Sequence, residues 1–143
     1  MDQARGTVVL AHGAGAGMDS PFMEDAARAL AAESIRVVRF EFPYMREHRE
    51  SGRGTRPDPP KVLEDTWLRV VEELGRPSGL VIGGKSMGGR IAGYTLSRVI
   101  RLVFLEDGDH SFKPRKSSGR TYEQNLEAAV REIVAFTTGL TSA

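Results

Sequence analysis

Short apolar runs alternate along this chain with longer stretches in which apolar residues return every three or four positions, so strands and helices are predicted in turn. The runs Thr7 to Ala11, Ile35 to Phe42, Leu80 to Gly83 and Arg101 to Leu105 read as four strands. Between the first two, Ser20 offers an N-cap and Pro21 a first helical residue. Behind them Phe22, Ala26, Ala27, Leu30 and Ala31 form an apolar stripe. Asp58 with Pro59 predicts the start of a second helix, in which Val62, Leu63, Trp67, Val70, Val71 and Leu74 share a face. A third helix is expected from Met87 to about Val99. A last one follows a capping box of Thr121 and Gln124, with Leu126, Ala129, Val130, Ile133, Val134 and Phe136 on its buried side. The rhythm is that of an α/β fold, a three-layer sandwich around a short, mainly parallel sheet of about four strands.

One stretch satisfies two motifs. Gly79 to Ser86 fits G-x-x-x-x-G-K-[ST], a phosphate-binding loop, and Gly84-Lys85-Ser86-Met87-Gly88 fits G-x-S-x-G, a strand-to-helix turn that exposes a nucleophilic serine. A phosphate loop needs its strand before the first glycine, yet here the apolar run Leu80-Val81-Ile82 occupies the supposed loop. The serine-elbow reading therefore takes precedence, against a bland alternative in which Ser86 merely sits in a glycine-rich turn.

In such folds chemistry gathers at the carboxyl ends of strands. After the first strand comes His12-Gly13-Ala14-Gly15-Ala16-Gly17, whose small residues let backbone N–H groups approach a ligand. The N–H groups of Ala14 and Met87 are the expected oxyanion hole. A dinucleotide reading of the same loop fails, because Met18 stands where the third glycine of G-x-G-x-x-G belongs. After the fourth strand comes Glu106-Asp107-Gly108-Asp109-His110-Ser111, and a late loop histidine occupies the general-base position of the order Ser, acid, His. His110 is the candidate base, whereas His12 is expected to shape its turn and His48 to lie on the surface.

Composition narrows the classes. The chain has 143 residues and a net charge of +1, long enough for one domain over 1–143 with a real core and without a global field favouring nucleic acid or membrane surface. Cysteine is absent, which excludes disulfides, thiolate metal sites and a cysteine nucleophile. No metal and no organic cofactor is implied. The opening residues lack the form of a secretory signal, and no run reaches spanning length, so a cytoplasmic location is expected. Arg46 to Pro57 reads as a long mixed-charge loop without aromatics for base stacking. Lys113, Arg115, Lys116 and Arg120 form a basic stretch suited either to an anionic substrate or to a solvated face.

Four phrases in order, Leu10-Ala11-His12-Gly13-Ala14-Gly15-Ala16-Gly17-Met18-Asp19-Ser20-Pro21-Phe22-Met23, Phe42-Pro43-Tyr44-Met45, Gly83-Gly84-Lys85-Ser86-Met87-Gly88-Gly89-Arg90 and Gly108-Asp109-His110-Ser111-Phe112-Lys113-Pro114-Arg115-Lys116, give the chain its resemblance to a known family. It resembles the small, lidless α/β-hydrolases described as dienelactone-hydrolase-like, which include the testis-expressed and NSL-complex hydrolase-like proteins. The resemblance implies a reduced α/β-hydrolase fold, Ser86 as nucleophile, His110 as base and hydrolysis of a small ester or lactone. Members of that family carry further strands and helices between the elbow helix and the histidine strand, ending in the triad aspartate. Here the elbow helix runs straight into the last strand. The acid candidates are then Asp107 and Asp109, or a carboxylate from a partner chain, and activity is expected to be weak. The strand order expected is second, first, third, fourth. The exposed apolar edge Leu102-Val103-Phe104-Leu105 predicts a homodimer. The opposing functional class is a non-catalytic scaffold or binding protein that keeps the motifs and lacks the acid.

Overall fold

A computed structural model describes residues 3–53, 56–95, 105 and 108–141. Its described sheet has three parallel strands, β1 (Thr7–Ala11), β2 (Arg36–Phe40) and β3 (Leu80–Gly84), in the order β2-β1-β3. Val8 pairs with Val37 on one side and Val81 on the other, and Ala11 with Phe40 and Gly84. All residues of β1 are buried, as expected for a central strand covered on both faces. The order matches the expectation for the first three strands. The expected fourth strand lies outside the described residues apart from Leu105, as does the elbow helix beyond Thr95.

Side-chain alternation along β1 divides the core in two. Val8 and Leu10 pack with Met23 and Leu30 of α1 (Pro21–Ala32) and with Val130 and Val134 of α5 (Tyr122–Thr141). Val9 and Ala11 face the opposite way. There they meet Tyr44 and Met45 of α2 (Pro43–Ser51), Leu63, Trp67 and Val71 of α3 (Pro60–Glu73), and Met87, Ile91 and Ala92 of α4 (Met87–Thr95). The result is a three-layer α/β sandwich.

The helix α2 corrects the sequence reading, which placed a loop from Arg46 to Pro57. Its exposed face is so polar that only Tyr44 and Met45 betray a buried side. The punctuation was nevertheless present, with Pro43 at the first helical position and Gly52 closing the helix at φ 69°. The same helix ends the second strand early: Phe42, before a proline, is extended at ψ 152° but serves as the N-cap of α2 rather than as a strand residue. Asp58 also differs from expectation. Its carboxylate accepts the Tyr44 N–H at 2.9 Å and so caps α2, while α3 begins at Pro60. At the other end of the chain the expected capping box is formed. The Gln124 N–H donates to Thr121 Oγ1 at 3.2 Å, and the Thr121 N–H donates to Gln124 Oε1 at 3.0 Å.

Candidate functional site

The chain crosses from β1 to β2 on one side and returns to β3 on the other, so the carboxyl ends of β1 and β3 lie side by side at the point where strand order reverses. The loops leaving those two ends build a cavity of about 640 Å³. Gly13 to Ala16 form one wall, Lys85 and Ser86 the second, Ser20 to Phe22 with Asp25 the third, and His110, Ser111, Lys113 and Tyr122 the fourth. Residues separated widely in sequence, Ser86 and His110 among them, therefore face one space.

Ser86 stands between the end of β3 and the start of α4 with φ 53°, in the left-handed region that a residue with a Cβ adopts only under constraint. Hydrogen bonds fix the turn. Lys85 N–H donates to Ala11 O at 3.0 Å, Gly88 N–H to Lys85 O at 3.0 Å, and Arg90 N–H to Ser86 O at 3.0 Å. The glycines around it are obligatory by contact: a Cβ on Gly84 would strike Ala11 O, and one on Gly88 would strike His12 O. From the far side Trp67, fully buried, donates its Nε1–H to Gly88 O at 3.3 Å. The strand paired with β1 occupies Leu80 to Gly84, which removes the phosphate-loop alternative.

The first loop is held from beneath. His12 is fully buried and accepts the Phe42 N–H on Nε2 at 3.1 Å, so its proton resides on Nδ1 and is donated to Gly13 O at 2.7 Å. Burial lowers its pKa, against the opposing effects of the Gly13 carbonyl and the Glu41 charge. His12 is thus a neutral structural imidazole. The Tyr44 hydroxyl donates to Ala14 O at 3.0 Å and lies 3.3 Å from Gly13 O; burial and the Asp58 charge push its pKa up to about 12. Gly13 and Ala14, their carbonyls engaged in this way, line the cavity, whereas Met87 is not among its lining residues. Neither the Ala14 N–H nor the Met87 N–H donates to an acceptor among the described residues, and Met87, first in α4, has no acceptor within its own helix.

The histidine loop is organised by Asp109. Its Oδ1 accepts the Ser111 N–H at 2.7 Å and the Lys113 N–H at 2.9 Å, and these amides hold its carboxyl below the usual range. His110 is exposed, and among the described residues no carboxylate hydrogen-bonds its ring. Asp107 lies outside the described residues. Of the two acid candidates, the described one, Asp109, spends its carboxylate on backbone amides of its own loop. His48, expected on the surface, is half-buried, and its Nδ1 has no partner among the described residues.

Sequence reasoning missed the residues that join this loop to the body. Lys85 Nζ donates to Ser111 Oγ at 2.8 Å and sits 4.7 Å from the centroid of the Phe22 ring. Phe22 in turn meets Phe112 edge-on at 5.0 Å, and Phe112 occupies the left-handed region at φ 67°. Asn125, fully buried on α5, donates Nδ2–H to Phe112 O at 2.9 Å. Tyr122 donates its hydroxyl to Asp25 at 2.9 Å, and burial, reinforced by that carboxylate, raises its pKa to about 12. None of these pairs has a short-range signature. Among the described residues no three His, Cys, Asp or Glu side chains converge as a metal cluster would require, and no helix is long and apolar enough to cross a membrane.

Compared with known families, the chain matches the alpha/beta hydrolase domain over residues 4–98 and 91–138, two stretches that overlap at the end of α4. No curated protein and no solved structure matches it.

Proposed function

Since the chain belongs to the alpha/beta hydrolase domain family, we propose that it is a serine hydrolase of the carboxylesterase or lactonase type, in the dienelactone-hydrolase-like branch, acting on a small ester or lactone. The observation that carries the reading is Ser86, held in a left-handed turn between β3 and α4, facing the cavity that His110 also lines. In this reaction Ser86 Oγ attacks the carbonyl carbon while His110 takes the hydroxyl proton. The Ala14 and Met87 N–H groups stabilise the resulting oxyanion, each such donor being worth roughly 3 kcal/mol. The C–O bond then breaks, the proton passes from His110 to the leaving alkoxide, and water hydrolyses the acyl-Ser86 ester by the reverse proton path.

Nothing in this chemistry calls for a metal or an organic cofactor. It does call for a group that orients His110, and the contacts of Asp109 favour a slow enzyme. Loss of that orienting role alone lowers turnover by about ten-thousandfold. The same observation supports the second reading, a non-catalytic hydrolase-like scaffold. The two separate on hydrolysis of p-nitrophenyl acetate and a small lactone by the wild type, Ser86→Ala and His110→Gln. Slow turnover that both substitutions abolish supports the enzyme. Equal rates in all three proteins leave the scaffold reading.

A further inference from the structure

We infer that Lys85 is a positioning residue, a cationic latch that holds the His110 loop against the serine turn. The inference rests on the proposed hydrolase reading for its catalytic consequence, though not for its structural one. Lys85 is adjacent to Ser86 in sequence, and its backbone is fixed by the hydrogen bond of its N–H to Ala11 O. Its side chain crosses the cavity wall to the opposite loop, where Nζ donates to Ser111 Oγ at 2.8 Å, one residue from His110.

Further contacts define where the ammonium sits. The Phe22 ring lies 4.7 Å away, a cation–π distance, and Phe22 also braces Phe112 of the same loop. The Lys85 charge is among those that lower the Asp109 pKa, so the carboxylate that organises the loop is itself attracted towards the ammonium. Among the described residues the Lys85 ammonium forms no ion pair, and its one hydrogen-bond acceptor is Ser111 Oγ. The group thus serves the loop rather than a distant carboxylate.

The physical need for a latch follows from the surroundings of His110. With no carboxylate on the ring among the described residues, the position of the imidazole depends on how firmly its loop is tied down. Asn125 ties the loop to α5 through Phe112 O. Lys85 is the tie to the turn that carries Ser86, and it sets the separation of base and nucleophile. Because the latch acts on the position of the imidazole relative to Ser86, its loss lowers kcat.

The test uses the full chain with Lys85→Met, Lys85→Arg, Ser111→Ala and the Lys85→Met/Ser111→Ala double variant. Amide hydrogen exchange is read at residues 108–113 and in β1, and ester hydrolysis is measured alongside. Exchange in the loop should quicken by about tenfold or more in Lys85→Met and Ser111→Ala, the loss expected for one charge-assisted hydrogen bond, with β1 unaffected. The double variant should exchange no faster than either single one, because both remove the same bond. Lys85→Arg should restore most of the protection. Where the wild type turns over ester, kcat should fall in parallel. Unchanged loop exchange in both Lys85→Met and Ser111→Ala overturns the latch. Quickened exchange in a protein without esterase activity rejects the hydrolase reading and leaves the latch standing.

Discussion

At the serine turn the tolerance for a single methyl group is nil. A Cβ on Gly88 would overlap the carbonyl oxygens of His12 and Ala11, both backbone atoms that cannot swing aside. Gly88→Ala should therefore destabilise the fold by roughly 1–3 kcal/mol, the cost of forced overpacking, and urea denaturation midpoints will show it. A midpoint equal to the wild type would mean that α4 approaches the end of β1 less closely. His12 makes a second prediction. Its folded pKa is below the ordinary value of about 6.5 because burial penalises the imidazolium. Below that value the unfolded chain takes up a proton that the folded chain refuses, so the stability due to this group is complete above about pH 6.5 and is lost as pH falls through the folded pKa. Denaturant midpoints measured from pH 7.5 to 5 should fall more steeply for the wild type than for His12→Gln. Parallel curves would contradict the buried neutral assignment. The residues that announce themselves in sequence are those in local motifs: Ser86 with its glycines, and His12 at its turn. Lys85, Phe112 and Asn125 were not legible, since their roles depend on partners far along the chain.

At the scale of elements, local punctuation located most boundaries. β1, α1, β3 and the start of α5 fall where the apolar runs and caps place them. The failure at α2 has a clear origin. A helix whose outer face is Arg, Glu and Ser imitates a charged loop, and its stability derives from tertiary contacts, the buried Tyr44 and Met45 and the Asp58 carboxylate on its first turn. That remote cap is a testable claim. Asp58→Ala should lower stability by about 1 kcal/mol, as loss of a side-chain cap does. The same change loosens Tyr44, whose hydroxyl supports the Ala14 carbonyl, so any Ser86-dependent esterase activity should also decline. A variant as stable as the wild type would show that Asp58 contributes nothing to α2.

The whole molecule is a reduced α/β-hydrolase sandwich. Its two core clusters lie on opposite faces of β1, a division that follows from the alternation of side chains along that strand. The family match falls into two stretches overlapping at residues 91–98, where the sequence reading expects the connection to the histidine loop to be shortened. That expectation concerns residues 96–104, outside the described set, so strand pairing beyond β3 was legible only as a pattern. The edge strand β2 carries Arg36 and Arg39, charges that discourage pairing there. Self-association is accordingly expected on the β3 side, and light scattering over a concentration series should report a dimer. A strict monomer at high concentration would remove that expectation. The central claim, that this fold presents an activated serine, is tested most directly by mass spectrometry of the intact protein after exposure to a fluorophosphonate. The account predicts a single adduct at Ser86 that disappears in Ser86→Ala and weakens in His110→Gln; a folded wild-type protein that remains unlabelled would contradict it.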